Sequence, residues 1–134
     1  MIINNSEWNG YSVHGDVKEL DRIVESDHFI NFDQDDIINV LSAEGDNYVA
    51  FAINANLGDA FNAAINSLPC TIDKVKNLLI DFRCGNKPPK MSELTSVTAT
   101  FSKANPESTV KWGILSDETL GDSYKVVLLA SVKA

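Results

Sequence analysis

A chain of 134 residues with 44% hydrophobic content is sized for a single domain, which at this length buries about two-thirds of its unfolded surface. The formal net charge is −8 and the eleven Lys and Arg are scattered, with 87–90 as the nearest thing to a basic cluster, which argues against nucleic acid or an anionic membrane as partner. No apolar run, 126–130 included, approaches the roughly 20 residues of a membrane span, and the start, Met1-Ile2-Ile3-Asn4-Asn5, lacks the basic-then-apolar form of a secretory signal, so a cytoplasmic location is expected.

Residues 1–15 are polar, with Trp8 and Tyr11 as the large apolar anchors, and read as a poorly structured lead-in to one domain over 16–134. Asp16-Val17-Lys18-Glu19 has the capping-box form, and Val17, Leu20, Ile23 and Val24 follow at helical spacing, which predicts a helix over 16–26. A second helix is predicted from Asp33, with Ile37, Ile38 and Leu41 on one side and Gly45 as its stop. Residues 47–56 alternate with period two and predict a strand. Ala60, Phe61, Ala64, Ile65 and Leu68 form a helical stripe closed by Pro69. Residues 75–84 predict a strand with Leu78, Ile80 and Phe82 inward and Asp81 and Arg83 outward. The turn at 85–89 leads to a helix capped by Ser92, with Leu94, Val97 and Phe101 as its core face and Asn105-Pro106 as its end. Two strands complete the order: 109–115, with Val110, Trp112 and Ile114 on one face, and 124–132. The latter is apolar on both faces through 126–129 and is expected in the middle of the sheet. The order predicts an α/β fold of the α+β two-layer sandwich kind: a mixed four-stranded sheet with two helices on one face, plus one or two N-terminal helices.

Few residues point to chemistry. Cys70 and Cys84, with thirteen residues between them, lack partners for a metal site and read as reduced thiols. His14 and His28 are too isolated to form a ligand set, and His28 beside Asp27 reads as a helix end. Cys84 before Gly85 reads as a small core residue, Trp112 as a core filler, and no Ser/His/Asp arrangement carries a motif. Neither metal nor cofactor is expected. The most informative stretch is Ile30-Asn31-Phe32-Asp33-Gln34-Asp35-Asp36-Ile37, two aspartates three residues apart where a helix begins. Asp33 suits an N-cap, and Asp35 and Asp36 complement the helix dipole by a few tenths to about 1 kcal/mol each.

From about 27 to 131 the residues resemble the C-terminal half of the FtsZ/tubulin superfamily, FtsZ more closely than tubulin, without the GTP-binding domain. Asn31, Asp33 and Asp36 match the family's N-x-D-x-x-D synergy loop in spacing, although Gln34 and Asp35 depart from its usual hydrophobic-then-small pair. Residues 60–68 look like the Ala-rich helix after the family's first sheet strand, and Leu78-Leu79-Ile80-Asp81-Phe82-Arg83-Cys84-Gly85 is similar to a strand ending in Gly-Gly. Ala104-Asn105-Pro106, Gly113-Ile114-Leu115-Ser116-Asp117 and Leu120-Gly121-Asp122 look like the exit from the last helix and the final strand pair.

The resemblance implies a cytoskeletal or cell-division setting of bacterial type. In FtsZ the nucleotide sits on a separate N-terminal domain, in a glycine-rich loop whose amides face the phosphates. The seven glycines here include no adjacent pair and no G-x-G, so no GTPase activity is expected of this chain by itself. In the family the two aspartates polarise the attacking water at a neighbouring subunit's nucleotide, which makes Asp33, Asp36 and Asn31 candidates in trans, against their reading as caps. The expected function is a non-enzymatic interaction module that docks on or modulates an FtsZ-like polymer, its partner an FtsZ-like GTPase or a second copy. The alternatives are a self-associating adaptor that kept the fold, and a small-molecule binder or enzyme with sites between subunits, for which Arg22 and Arg83 are the only guanidinium groups.

Overall fold

The computed structural model describes residues 5–8, 10–25, 28–30, 34–41, 46–69, 72–104 and 108–132. Its elements run in the order β1 (Asn5–Trp8), β2 (Tyr11–His14), α1 (Lys18–Glu25), β3 (His28–Ile30), α2 (Gln34–Val40), β4 (Asp46–Asn54) and α3 (Leu57–Asn66). Then come β5 (Val75–Cys84), α4 (Met91–Ala104), β6 (Thr109–Ser116) and β7 (Tyr124–Val132). The overall class is α/β, as expected, and the four anticipated strands lie together as β4-β7-β5-β6. β7 is antiparallel to both β4 and β5, which puts the strand that is apolar on both faces in the middle. β5 and β6 are parallel and joined through α4, since parallel neighbours need a crossover.

The sheet is wider than four strands. Among the described residues it has seven, in the order β1-β2-β4-β7-β5-β6-β3. Within the stretch expected to be a loose lead-in, the described residues 5–8 and 11–14 are strands: β1 and β2 form a hairpin with Trp8 opposite Tyr11, closed through Gly10 at φ 89°. The sequence carried the signal, an Asn9-Gly10 pair between two aromatic residues, which suits a tight hairpin turn. β3 extends the other edge by pairing with β6, so His28 lies in a strand and not at a helix end. Three residues are too few for a periodicity to betray.

Both faces of the sheet are covered, giving three layers in place of two. On one face Leu78, Ile80 and Phe82 of β5 and Val126 and Leu128 of β7 pack with Leu57, Phe61 and Ala64 of α3 and Leu94, Val97 and Phe101 of α4. On the other, Leu79 and Leu129 pack with Leu20 and Ile23 of α1, Ile37 and Val40 of α2, and Trp8 and Val13 of the hairpin. α3 begins at Asn56, whose side chain accepts from the Asp59 N–H at 3.1 Å. α4 begins one residue before the expected cap: Glu93 Oε1 accepts from the Lys90 N–H at 3.1 Å, and Ser92 is exposed within the first turn. Gly85 lies against Gly121 so closely that a Cβ would strike its backbone, which pins the loops after β5 and β6 together.

The second face also overturns an expectation about β5. Asp81 and Arg83 point away from α3 and α4, but not into water: they are 0% and 1% exposed. Arg83 Nε donates to Asp81 Oδ2 at 2.8 Å, and its Nη1 donates to Glu19 Oε2 of α1 at 2.5 Å. Lys125 Nζ of β7 donates to Glu19 Oε1 at 3.0 Å. Glu19, read from the sequence as the far half of a capping box, turns into the molecule, while Asp16 still caps α1 by accepting from the Lys18 N–H at 3.0 Å. Trp8 Nε1 donates to Asp21 of α1 at 2.9 Å, and Arg22 of α1 donates to Asp117 beyond β6 at 2.7 Å.

Two expected outcomes follow from these contacts. Arg83→Met keeps much of the stem volume but takes the guanidinium away from the buried Asp81 carboxylate and from Glu19, which keeps Lys125, so denaturant unfolding should show a loss of about 3–5 kcal/mol. Asp117 is held below the ordinary carboxylate range, first by the Thr119 hydroxyl and then by the Thr119 N–H and Arg22. With its folded pKa lowered, its contribution is full above the usual Asp value of about 3.9 and is lost as pH falls below that. The stability gap between wild type and Asp117→Asn should therefore shrink from pH 7 towards pH 3, and a constant gap would contradict this assignment.

Candidate functional site

Asn31 and Asp33 lie outside the described residues. Asp36 lies inside them, in the first turn of α2, where Asp35 is also acidic and exposed. The residue after it, Ile37, is fully buried in the second core with Val40 and Leu41, so the apolar side of α2 fixes where Asp36 emerges. It emerges beside β6. Lys111 Nζ donates to its Oδ1 at 3.3 Å, and the two side chains are 33% and 32% exposed. A pair this open to water contributes about 0–1 kcal/mol. Its chemical effect is larger: an ammonium already sits on the carboxylate, which weakens its hold on a cation.

The other candidates are dispersed. His14 ends β2, stacks on Tyr48 with ring centroids 4.9 Å apart, and has Nε2 3.6 Å from Asp46 Oδ1. Cys84 is buried, and burial pushes its thiol above the ordinary value, so it is protonated at neutral pH; Cys70 lies outside the described residues. Trp112 is partly buried and packs against the first core, meeting Phe82 edge-on at 6.2 Å. Both arginines are engaged, Arg22 with Asp117 and Arg83 with Asp81 and Glu19. Among the described residues no group of three His, Cys, Asp or Glu could hold a metal ion, and no helix is long and apolar enough to cross a membrane. The cluster of Glu19, Asp81, Arg83 and Lys125 escaped the sequence reading, because its members come from three distant segments and look like surface charge in strand alternation.

No protein-family model and no curated protein sequence matches the chain. Solved structures do. An empty FtsZ dimer from M. jannaschii matches at 27% identity and a TM-score of 0.71, over 86% of this chain and 35% of its own. CetZ1 of Haloferax volcanii, a GDP-bound monomer, matches at 18% identity and 0.62, over 77% and 34%. TubZ of Bacillus thuringiensis, from GDP-form protofilaments, matches at 11% identity and 0.61, over 79% and 31%. The latter two share the fold. The chain spans about a third of the length of the structures it matches.

If Asp36 serves α2 and β6 mainly as a cap and surface partner, Asp36→Ala and Lys111→Ala should each cost about 1 kcal/mol or less. The double variant should then show a coupling below about 1 kcal/mol in denaturant unfolding. A loss several times larger would assign Asp36 to the architecture of the second core.

Proposed function

Because the chain carries the C-terminal-domain fold of the FtsZ/tubulin superfamily, in FtsZ-like form, we propose that it is a non-enzymatic module that docks on an FtsZ-like polymer and modulates it. The observation that carries this reading is the match to FtsZ at 27% identity over 86% of the chain. The docking face is the start of α2, where Asp36 meets the nucleotide-bearing side of an FtsZ-like subunit, and Asn31 and Asp33, just before it in sequence, are taken to act with it. The solved relatives support such a partner, since one holds GDP and another forms protofilaments.

On this reading the chain does not hydrolyse GTP by itself. Its glycines are too dispersed to line up amides on a triphosphate. The Lys111 ammonium suits Asp36 to exchanging ion pairs at an interface more than to holding a cation near phosphate, so any help given in trans falls to Asn31 and Asp33. The enzyme reading loses ground because both arginines that would grip an acidic substrate are held by this chain's own carboxylates.

The test is co-sedimentation and GTP turnover of a filament-forming FtsZ, such as that of M. jannaschii, with this chain in excess. Polymer mass and turnover should both change, and Asp33→Ala/Asp36→Ala, shown to be folded by circular dichroism, should lose the effect. Unchanged polymer and turnover at saturating chain would sink the reading.

A further inference from the structure

One edge of β4 is only half covered. β2 meets it at a single bridge, His14 opposite Tyr48. Gly15, at φ 121°, then passes so near that a Cβ would sit 2.5 Å from the Val49 carbonyl oxygen. Beyond that point no described strand pairs with residues 50–54 on this side, while β7 pairs with the other side of β4 along its whole length. A row of open N–H and C=O groups is a template for another strand, and soluble proteins blunt such edges with charge, proline or a bulge. The run Ala50-Phe51-Ala52-Ile53-Asn54 has no charge and no proline. Phe51 and Ile53 are 44% and 56% exposed, and with Met91 they are the large apolar side chains most open to solvent among the described residues.

We propose that this edge pairs, antiparallel, with the same edge of a second copy of the chain, about a two-fold axis at Ala52. That register sets Phe51 across from Ile53 of the other copy, twice, and aromatic against β-branched is a favourable cross-strand pair. Charge selects the occupant. At a net charge of −8, most like-on-like contacts would bring carboxylates together, but this run is neutral. The cation beneath it, Lys125, has Nζ 4.5 Å from the Phe51 ring centroid and is matched by Glu19 at 3.0 Å. An isologous contact also closes at two copies, because the β4 edge of each is used by the other. The inference rests on β4 and does not depend on polymer docking through α2.

The run is short, so the association is weak, with a dissociation constant of about 0.1 mM, in keeping with an interface well below about 1,200 Å². Sedimentation velocity should show a monomer–dimer equilibrium for the wild type up to about 1 mM. Ile53→Lys, at an exposed position that leaves the fold intact by circular dichroism, should weaken it at least tenfold. Phe51→Glu/Ile53→Lys should recover it, because in this register each new carboxylate faces the other copy's new ammonium. A wild type that stays monomeric at about 1 mM overturns the proposal and leaves the edge to a different chain. So does an Ile53→Lys variant that associates like wild type, and a double variant no tighter than the single one overturns the register.

Discussion

The Arg83 guanidinium, held between Asp81 of its own strand and Glu19 of α1, is the contact on which the architecture turns. Removing a guanidinium from water costs several kcal/mol, and only closely fitted carboxylates offset it. The carboxylates come from two elements, so the charge is satisfied only when α1 lies on the sheet. Arg83 Nη2 also reaches the Glu19 carbonyl oxygen at 3.3 Å, which ties it to the helix backbone as well as to a side chain. With α1 in place, Leu79 and Leu129 are sealed under Leu20 and Ile23, and the sheet becomes the middle layer of three. Were α1 absent, a buried ion pair and two leucines would face water on the same surface.

How far the sequence could be read follows from what each residue's pattern encodes. Residues 126–129 are apolar at every position, so β7 had to be covered on both faces, and it is the central strand. The stripes Ala60-Phe61-Ala64 and Leu94-Val97-Phe101 have helical period, and both form the first core. Alternation misled at Asp81 and Arg83, because a charged residue on a strand reads as solvated unless its counter-ion can be seen, and Glu19 is 64 residues away from Arg83. Ser92 misled because a good capping residue sat two positions inside a helix whose actual cap is the Glu93 carboxylate on the Lys90 amide. Of the candidate site, the sequence supplied the spacing of Asn31, Asp33 and Asp36. It could not supply Lys111, which reaches Asp36 from 75 residues further along the chain.

The two surfaces proposed for contact lie apart. Asp36 emerges beside β6, whereas the open edge belongs to β4, and β7 and β5 stand between those strands. A chain that paired through β4 would still present the start of α2 twice, once from each copy. Two such faces at fixed separation would engage a repeating polymer with an effective concentration set by the spacing of its subunits, without any new contact.

The position of β7 has a consequence for how the protein is made. It follows every other element in the chain, yet it lies between β4 and β5 and is hydrogen-bonded to both. While a ribosome is still extending the polypeptide, the earlier strands have no middle member to join them. Consolidation must wait for residues 124–132 to emerge, and until then the apolar faces of β4 and β5 are open to chaperones or to other nascent chains. Pairings as distant as Asp46 with Val132 also give the molecule a high contact order, so a slow approach to the native state is built into the strand arrangement.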